Sequence, residues 1–191
     1  MTKLIVSCGD PSGIGPRLAT QVLNDPSATE WRVDLTGPPT LWRALGLREG
    51  PNRHLIGSAG KPTTPGEPCI EGARIQTQGL LQALDVIDSG QADALVTLPV
   101  NKLQLKAAKQ PFAGHTELFR SRYPRAELVM SFRSHDRWVA LATDHIPLTR
   151  VASTLTPRRL ITSAAALHQA SGKRVAVCGL NPHAGEAGML G

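Results

Sequence analysis

Short apolar runs alternate with amphipathic stretches along most of this chain, and the alternation predicts its elements. Residues 3–8, 32–35, 94–97 and 173–178 are small or branched apolar residues bounded by turn formers, the pattern of buried strands. A helix is expected from Pro16, since proline favours the first helical turn. Further helices are expected over 40–47 and over 73–87, where Leu80, Leu81, Leu84 and Ile87 share one face. A basic amphipathic segment runs to Lys109, and Phe112-Ala-Gly-His-Thr-Glu117 opens the next helix with Thr116 as its N-cap. Thr156-Pro157 and Gly172 bracket another helix, whose apolar face is Leu160, Ile161, Ala164 and Leu167.

Residues 126–132 and 138–143 predict an antiparallel pair of strands joined by the polar turn 133–137, with 151–155 continuing in extended form. The Gly- and Pro-rich stretch 57–68 is a surface loop by composition. Together these elements predict an α/β fold with a mixed, largely parallel sheet and flanking helices. Residues 1–130 are expected to form a first α/β lobe and 131–191 the start of a second. The strand at 173–178 leads only into a glycine-rich loop, where the alternation calls for a covering helix, so the second lobe is expected to be incomplete.

Two apolar runs end in a histidine: Ala140-Leu-Ala-Thr-Asp-His145 and Val175-Ala-Val-Cys-Gly-Leu-Asn-Pro-His183. Ligands collect outside the carboxyl ends of strands in open α/β sheets, and imidazole is the commonest protein metal ligand. A lone histidine in such a place is a loop residue; two in equivalent places make a shared metal site an equal alternative. Gly9-Asp-Pro-Ser-Gly-Ile-Gly-Pro16 is a glycine-rich turn before a helix, a place that can receive an anion. It is neither G-x-G-x-x-G nor a Walker motif, and by itself a plain tight turn is the simpler reading. Lys102, near a strand end, and His115, beside a helix start, are placed to hold a carboxylate or phosphate, although for either taken singly a solvated lysine or a turn histidine is the simpler reading.

The formal charge of +6 and the pI near 9.7 raise the question of nucleic acid. The basic residues are scattered, and aromatic residues make up only 4%, too few for base-stacking platforms. The charge suits a solvated surface and a small phosphorylated substrate better. No apolar run approaches the ~20 residues that span a bilayer, and the opening residues lack a signal-peptide pattern. Three cysteines, Cys8, Cys69 and Cys178, odd in number and without a C-x-x-C pair, point to a reducing, cytoplasmic setting.

Five motifs occur in a fixed order: Gly9-Asp-Pro-Ser-Gly-Ile-Gly-Pro16, Thr97-Leu-Pro-Val-Asn-Lys102, Gly114-His-Thr-Glu117, Ala140-Leu-Ala-Thr-Asp-His145 and Gly179-Leu-Asn-Pro-His-Ala-Gly-Glu186. Together they resemble the 4-hydroxythreonine-4-phosphate dehydrogenase family of pyridoxal phosphate biosynthesis. The resemblance implies a fold like that of isocitrate and isopropylmalate dehydrogenases and a homodimer with its active site at the subunit interface. It also implies oxidation of the substrate hydroxyl by NAD or NADP with a divalent metal (Zn, Mg or Co), then decarboxylation to 3-amino-2-oxopropyl phosphate. Carried across by motif, His145 and His183 become two of three metal-binding histidines, and His115 and Thr116 the pair that contacts substrate.

The third metal histidine, most dinucleotide contacts and several phosphate-binding residues lie, in the family, in a part beyond this chain, so the chain alone is expected not to be a competent dehydrogenase. Many members have histidine where Met189 stands. That departure leaves open a sister dehydrogenase for another phosphorylated four-carbon acid. A non-catalytic fragment with a weak metal or anion site is the alternative of another class.

Overall fold

The strongest apolar runs pair into one sheet. In a computed structural model describing residues 1–61, 63–112 and 114–190, β1 (Thr2–Ser7), β2 (Trp31–Leu35), β3 (Arg53–Leu55) and β4 (Ala94–Thr97) lie in the order β3-β2-β1-β4. All three pairings are parallel, with Leu4 opposite Val33 and Ala94 in register. Parallel strands need crossovers, and helices supply them: α1 (Gly15–Asn24), α2 (Pro39–Ala44) and α3 (Ile70–Asp88). After β4 come α4 (Lys102–Ala107) and α5 (His115–Arg122).

Period-two alternation sorts β1 onto two cores. Val6 and Cys8 pack with Val33, Leu35, Leu23 of α1 and Trp42 of α2. Ile5 packs on the opposite face with Ala83 of α3, against Val86 and Ile87. A parallel sheet covered on both faces is the expected arrangement. Trp42 is fully buried, and its indole N–H donates to the Thr36 carbonyl at 2.8 Å, which removes the penalty for hiding that donor.

The chain divides into two compact units, Met1–Arg122 and Tyr123–Gly191. The second contains a hairpin of β5 (Ser131–Ser134) and β6 (Arg137–Ala140), followed by α6 (Val151–Thr154) and α7 (Pro157–Ser171). Helix α7 is bounded as its sequence requires. Thr156 Oγ1 accepts from the Arg159 N–H at 3.2 Å, and Gly172 closes the helix at φ 67°.

Several expectations differ from what is found. The antiparallel pair is a separate two-stranded sheet and does not join the parallel one. Its strands begin and end elsewhere, with only His135 and Asp136 in the turn. Arg133 faces Trp138 across the ladder with its guanidinium 5.0 Å from the ring centroid, and that cation–π pair draws "turn" residues into strand. Residues 148–154 are helical turns rather than extended chain; Ser153 Oγ donates to the Arg150 carbonyl within them.

Residues 173–178 form no strand, because no strand lies beside them among the described residues to complete a ladder. Val177 in that run is 64% exposed. On α7 the apolar face is interrupted: Ile161 is exposed and Ser163 is buried. No described helix is long and apolar enough to cross a membrane.

Candidate functional site

The strand order contains a reversal. From β1 the chain winds outward through β2 to β3, and α3 then returns it to β4 on the far side of β1. Loops leaving the carboxyl ends of β1 and β4 therefore part in opposite directions, which opens a crevice at that point. Ser7 and Thr97 are the paired residues at this edge.

The two loops are tied to each other. The Asp10 N–H donates to the Pro99 carbonyl at 2.9 Å, and the Leu98 N–H donates to the Ser7 carbonyl at 3.3 Å. Gly9 takes φ +60°, and a Cβ there would lie 2.4 Å from the Pro99 oxygen, so only glycine fits the approach. Asp10 closes an Asx turn, its carboxylate accepting the Ser12 N–H at 3.0 Å and its carbonyl the Gly13 N–H at 3.0 Å. Between the loops lies a cleft of about 370 Å³ lined by Asp10, Gly13, Ile14, Pro99, Val100, Asn101, Lys102 and Leu103.

Behind the cleft wall, Cys8 is inert. Burial, and secondarily the Asp10 charge, push its thiol up to about 12, so it stays protonated and does not act as a nucleophile near neutral pH. On the other wall, the Asn101 N–H donates to Gln76 Oε1 at 2.8 Å, and Asn101 Oδ1 caps α4 by accepting the Gln104 N–H at 3.1 Å. The buried Gln76 and Gln104 amides hydrogen-bond to each other. A buried amide pair thus fixes the residue that precedes Lys102.

His115 opens α5. It is half-buried, and its Nε2 is shut from solvent with no hydrogen-bond partner among the described residues. Its ring centroid lies 6.2 Å from that of Phe119. Burial first, and then the charge of Lys102, hold its pKa below the ordinary histidine value, so the neutral imidazole is favoured. Gly114 makes this adjacency possible: a Cβ there would lie 3.3 Å from Lys102 Cε and 3.9 Å from Nζ. Lys102 itself is exposed, with no carboxylate paired to it among the described residues. Thr116 is exposed inside the first turn of α5; the helix starts at His115, so Thr116 is not the N-cap the sequence suggests.

The second unit carries the other two candidates. His145 is exposed at φ 50° in the loop after β6, not directly at a strand end. Arg159 of α7 braces that loop: Nε–H donates to the Ala142 carbonyl, and Nη2 lies 3.9 Å from Asp144 Oδ1. His183 sits in a short turn, Pro182–Gly188, that is left-handed at His183, Ala184, Glu186 and Ala187. Its Nε2 is 4.0 Å from Glu186 Oε1. Catalytic zinc sites use about three protein ligands. Among the described residues no group of three or more His, Cys, Asp or Glu side chains gathers to hold a metal. The donors present do not fit a catalytic metal centre by themselves.

Sequence reasoning found His115 and Lys102 separately but not their adjacency, which depends on the packing of Gly114. It missed the Gln76–Gln104 amide pair altogether, since two glutamines 28 residues apart leave no local pattern.

A family model described as pyridoxal phosphate biosynthetic protein PdxA matches residues 25–191. The 4-hydroxythreonine-4-phosphate dehydrogenase of Erwinia tasmaniensis is 33% identical over 218 aligned positions, covering 99% of this chain and 65% of the relative. That of Citrobacter koseri matches to the same extent. The chain spans about two-thirds, 65%, of the length of these curated relatives. Among solved structures, the 4-hydroxythreonine-4-phosphate dehydrogenase of Klebsiella pneumoniae superposes with a TM-score of 0.86 at 24% identity, over 100% of this chain and 67% of that one. A putative 4-hydroxythreonine-4-phosphate dehydrogenase of Salmonella typhimurium gives 0.85 at 21%, with the same coverage. At these identities the superpositions establish the fold.

Proposed function

This chain belongs to the pyridoxal phosphate biosynthetic protein PdxA family, and from that membership we propose that it serves the oxidation of 4-hydroxythreonine 4-phosphate by NAD or NADP. The observation that carries this reading is the continuity of the likeness to 4-hydroxythreonine-4-phosphate dehydrogenases over nearly the whole chain. NAD or NADP supplies the hydride acceptor. The substrate's hydroxyl carbon gives up a hydride and its oxygen a proton, leaving a β-keto acid. The new carbonyl then takes up the electron pair freed as carbon dioxide leaves, and protonation gives 3-amino-2-oxopropyl phosphate.

His115 and Thr116 are the proposed substrate contacts. Burial and the charge of Lys102 favour the neutral ring of His115, and a neutral imidazole can take a hydrogen bond or a proton where a charged one cannot. His145 and His183 are proposed as two ligands of a divalent ion; no step is assigned to them, because the described residues supply no group of three donors. A homodimer with its active site at the interface, in a cytoplasmic setting, completes the proposal.

Calorimetric titration tests the reading. The chain should bind 4-hydroxythreonine 4-phosphate at least about tenfold more tightly than a phosphorylated four-carbon acid without the amino group, a charge-assisted contact being worth roughly 1.5–3 kcal/mol. The reverse preference would indicate the sister reaction. No binding of either at millimolar concentration would overturn the proposal.

A further inference from the structure

We infer that Gln76 is a positioning residue for the cleft. From inside α3 it sets, through Asn101, the course of the loop that forms one wall, and with it the affinity of the cleft for its ligand. Gln76 is not itself among the residues that line the cleft. The inference rests on the proposed function only in taking 4-hydroxythreonine 4-phosphate as that ligand.

Helix α3 turns Gly72, Gln76, Leu80 and Leu84, spaced by four, into the interior. An amide therefore stands where the pattern calls for an apolar side chain, and a buried amide must find partners. Both ends of Gln76 find them outside α3. Its Oε1 accepts the Asn101 N–H at 2.8 Å, and its Nε2 donates to Gln104 Oε1. Gly72, one turn earlier, leaves the space: a Cβ there would lie 2.7 Å from Gln104 Nε2.

Asn101 is thereby held at three points. Its N–H goes to Gln76, its Oδ1 accepts the Gln104 N–H at 3.1 Å, and its carbonyl accepts the Leu105 N–H at 3.0 Å. Two residues earlier, the Pro99 carbonyl is held by the Asp10 N–H. Residues 99–101 are thus strung between two anchors, the glycine-rich turn at one end and Gln76 at the other, and all three line the cleft. Asn101 is only part-buried, so without Gln76 its N–H turns to water and the wall moves with it. An apolar side chain at position 76 would fill the interior but leave the loop unheld; a satisfied buried amide network makes it rigid. A wall ordered in advance binds more tightly than one ordered by its ligand.

The test pairs amide hydrogen exchange at Asn101 with calorimetric titration of 4-hydroxythreonine 4-phosphate, each protein being held well below its unfolding temperature. Gln76→Met keeps the volume and removes both hydrogen bonds. In it Asn101 should exchange at least about tenfold faster, and the ligand should bind about 3–10-fold more weakly. Gln76→Glu keeps an acceptor for the Asn101 N–H, and Gln104 can turn its amide to donate to the new carboxyl. Exchange and affinity should both stay within about twofold of wild type there. Gln76→Asn, one methylene shorter, draws the oxygen back from Asn101 and should show the same losses if Gln76→Met does not fold. Wild-type affinity in whichever of these two folds would overturn the inference alone, since it would leave Gln76 a structural role only. So would an equal loss of affinity in Gln76→Glu. Wild-type protein that binds no ligand would overturn the proposed function and this inference with it.

Discussion

At Gly9 the backbone itself makes the site. The positive φ and the 2.4 Å approach to the Pro99 oxygen both exclude a side chain, so a Gly9→Ala variant must break the contact that holds the two cleft loops together. We expect a loss of more than about 1 kcal/mol, because alanine for glycine stabilises only where the backbone suits it and at positive φ costs more than that gain. Urea unfolding measures it, and an unchanged midpoint would contradict the geometry. His115 yields a second prediction. Its folded pKa is depressed, so the unfolded chain binds the proton more readily and folding favours the neutral ring. The stabilising contribution is complete above the unfolded value, about 6.5, and is lost as pH falls through the lower folded value. In an NMR titration His115 should therefore titrate below an ordinary histidine, and Lys102→Met should move its midpoint upward. A midpoint at or above the ordinary value would contradict this account.

Elements with local signals are the ones the sequence declares. Helix α7 is bracketed by an N-cap threonine and a left-handed glycine, each adjacent to the residues it caps, and both are read correctly from order alone. Strands need partners that are distant in sequence. Residues 173–178 have the composition of a strand, yet no neighbour pairs with them among the described residues, and composition carries no information about that neighbour. The β5–β6 register shows the same limit, since it follows from an Arg133–Trp138 contact that spacing does not reveal. The site divides along the same line. The glycine-rich turn, Lys102 and His115 are visible as residues, whereas their meeting depends on Gly114 and on the strand reversal. The helix layer over the sheet is testable through Trp42. Trp42→Ala removes a fully buried ring and leaves the Thr36 carbonyl without its donor, and should cost about 3–5 kcal/mol. A loss under about 1 kcal/mol in thermal or urea unfolding would show that α2 does not anchor this core.

Across the whole molecule, each unit carries different candidate chemistry. Met1–Arg122 holds a formed cleft lined by the exposed Lys102, with the His115 imidazole near that lysine, while Tyr123–Gly191 holds His145 and His183, and no three-donor group gathers among the described residues. The central claim is that phosphorylated substrate enters the cleft at the β1–β4 reversal. Amide NMR spectra recorded while 4-hydroxythreonine 4-phosphate is added test it most directly. The account predicts that the largest shifts fall on Gly13, Ile14, Asn101, Lys102, His115 and Thr116. Shifts confined to residues outside this group, with those six amides unmoved at saturation, would contradict it.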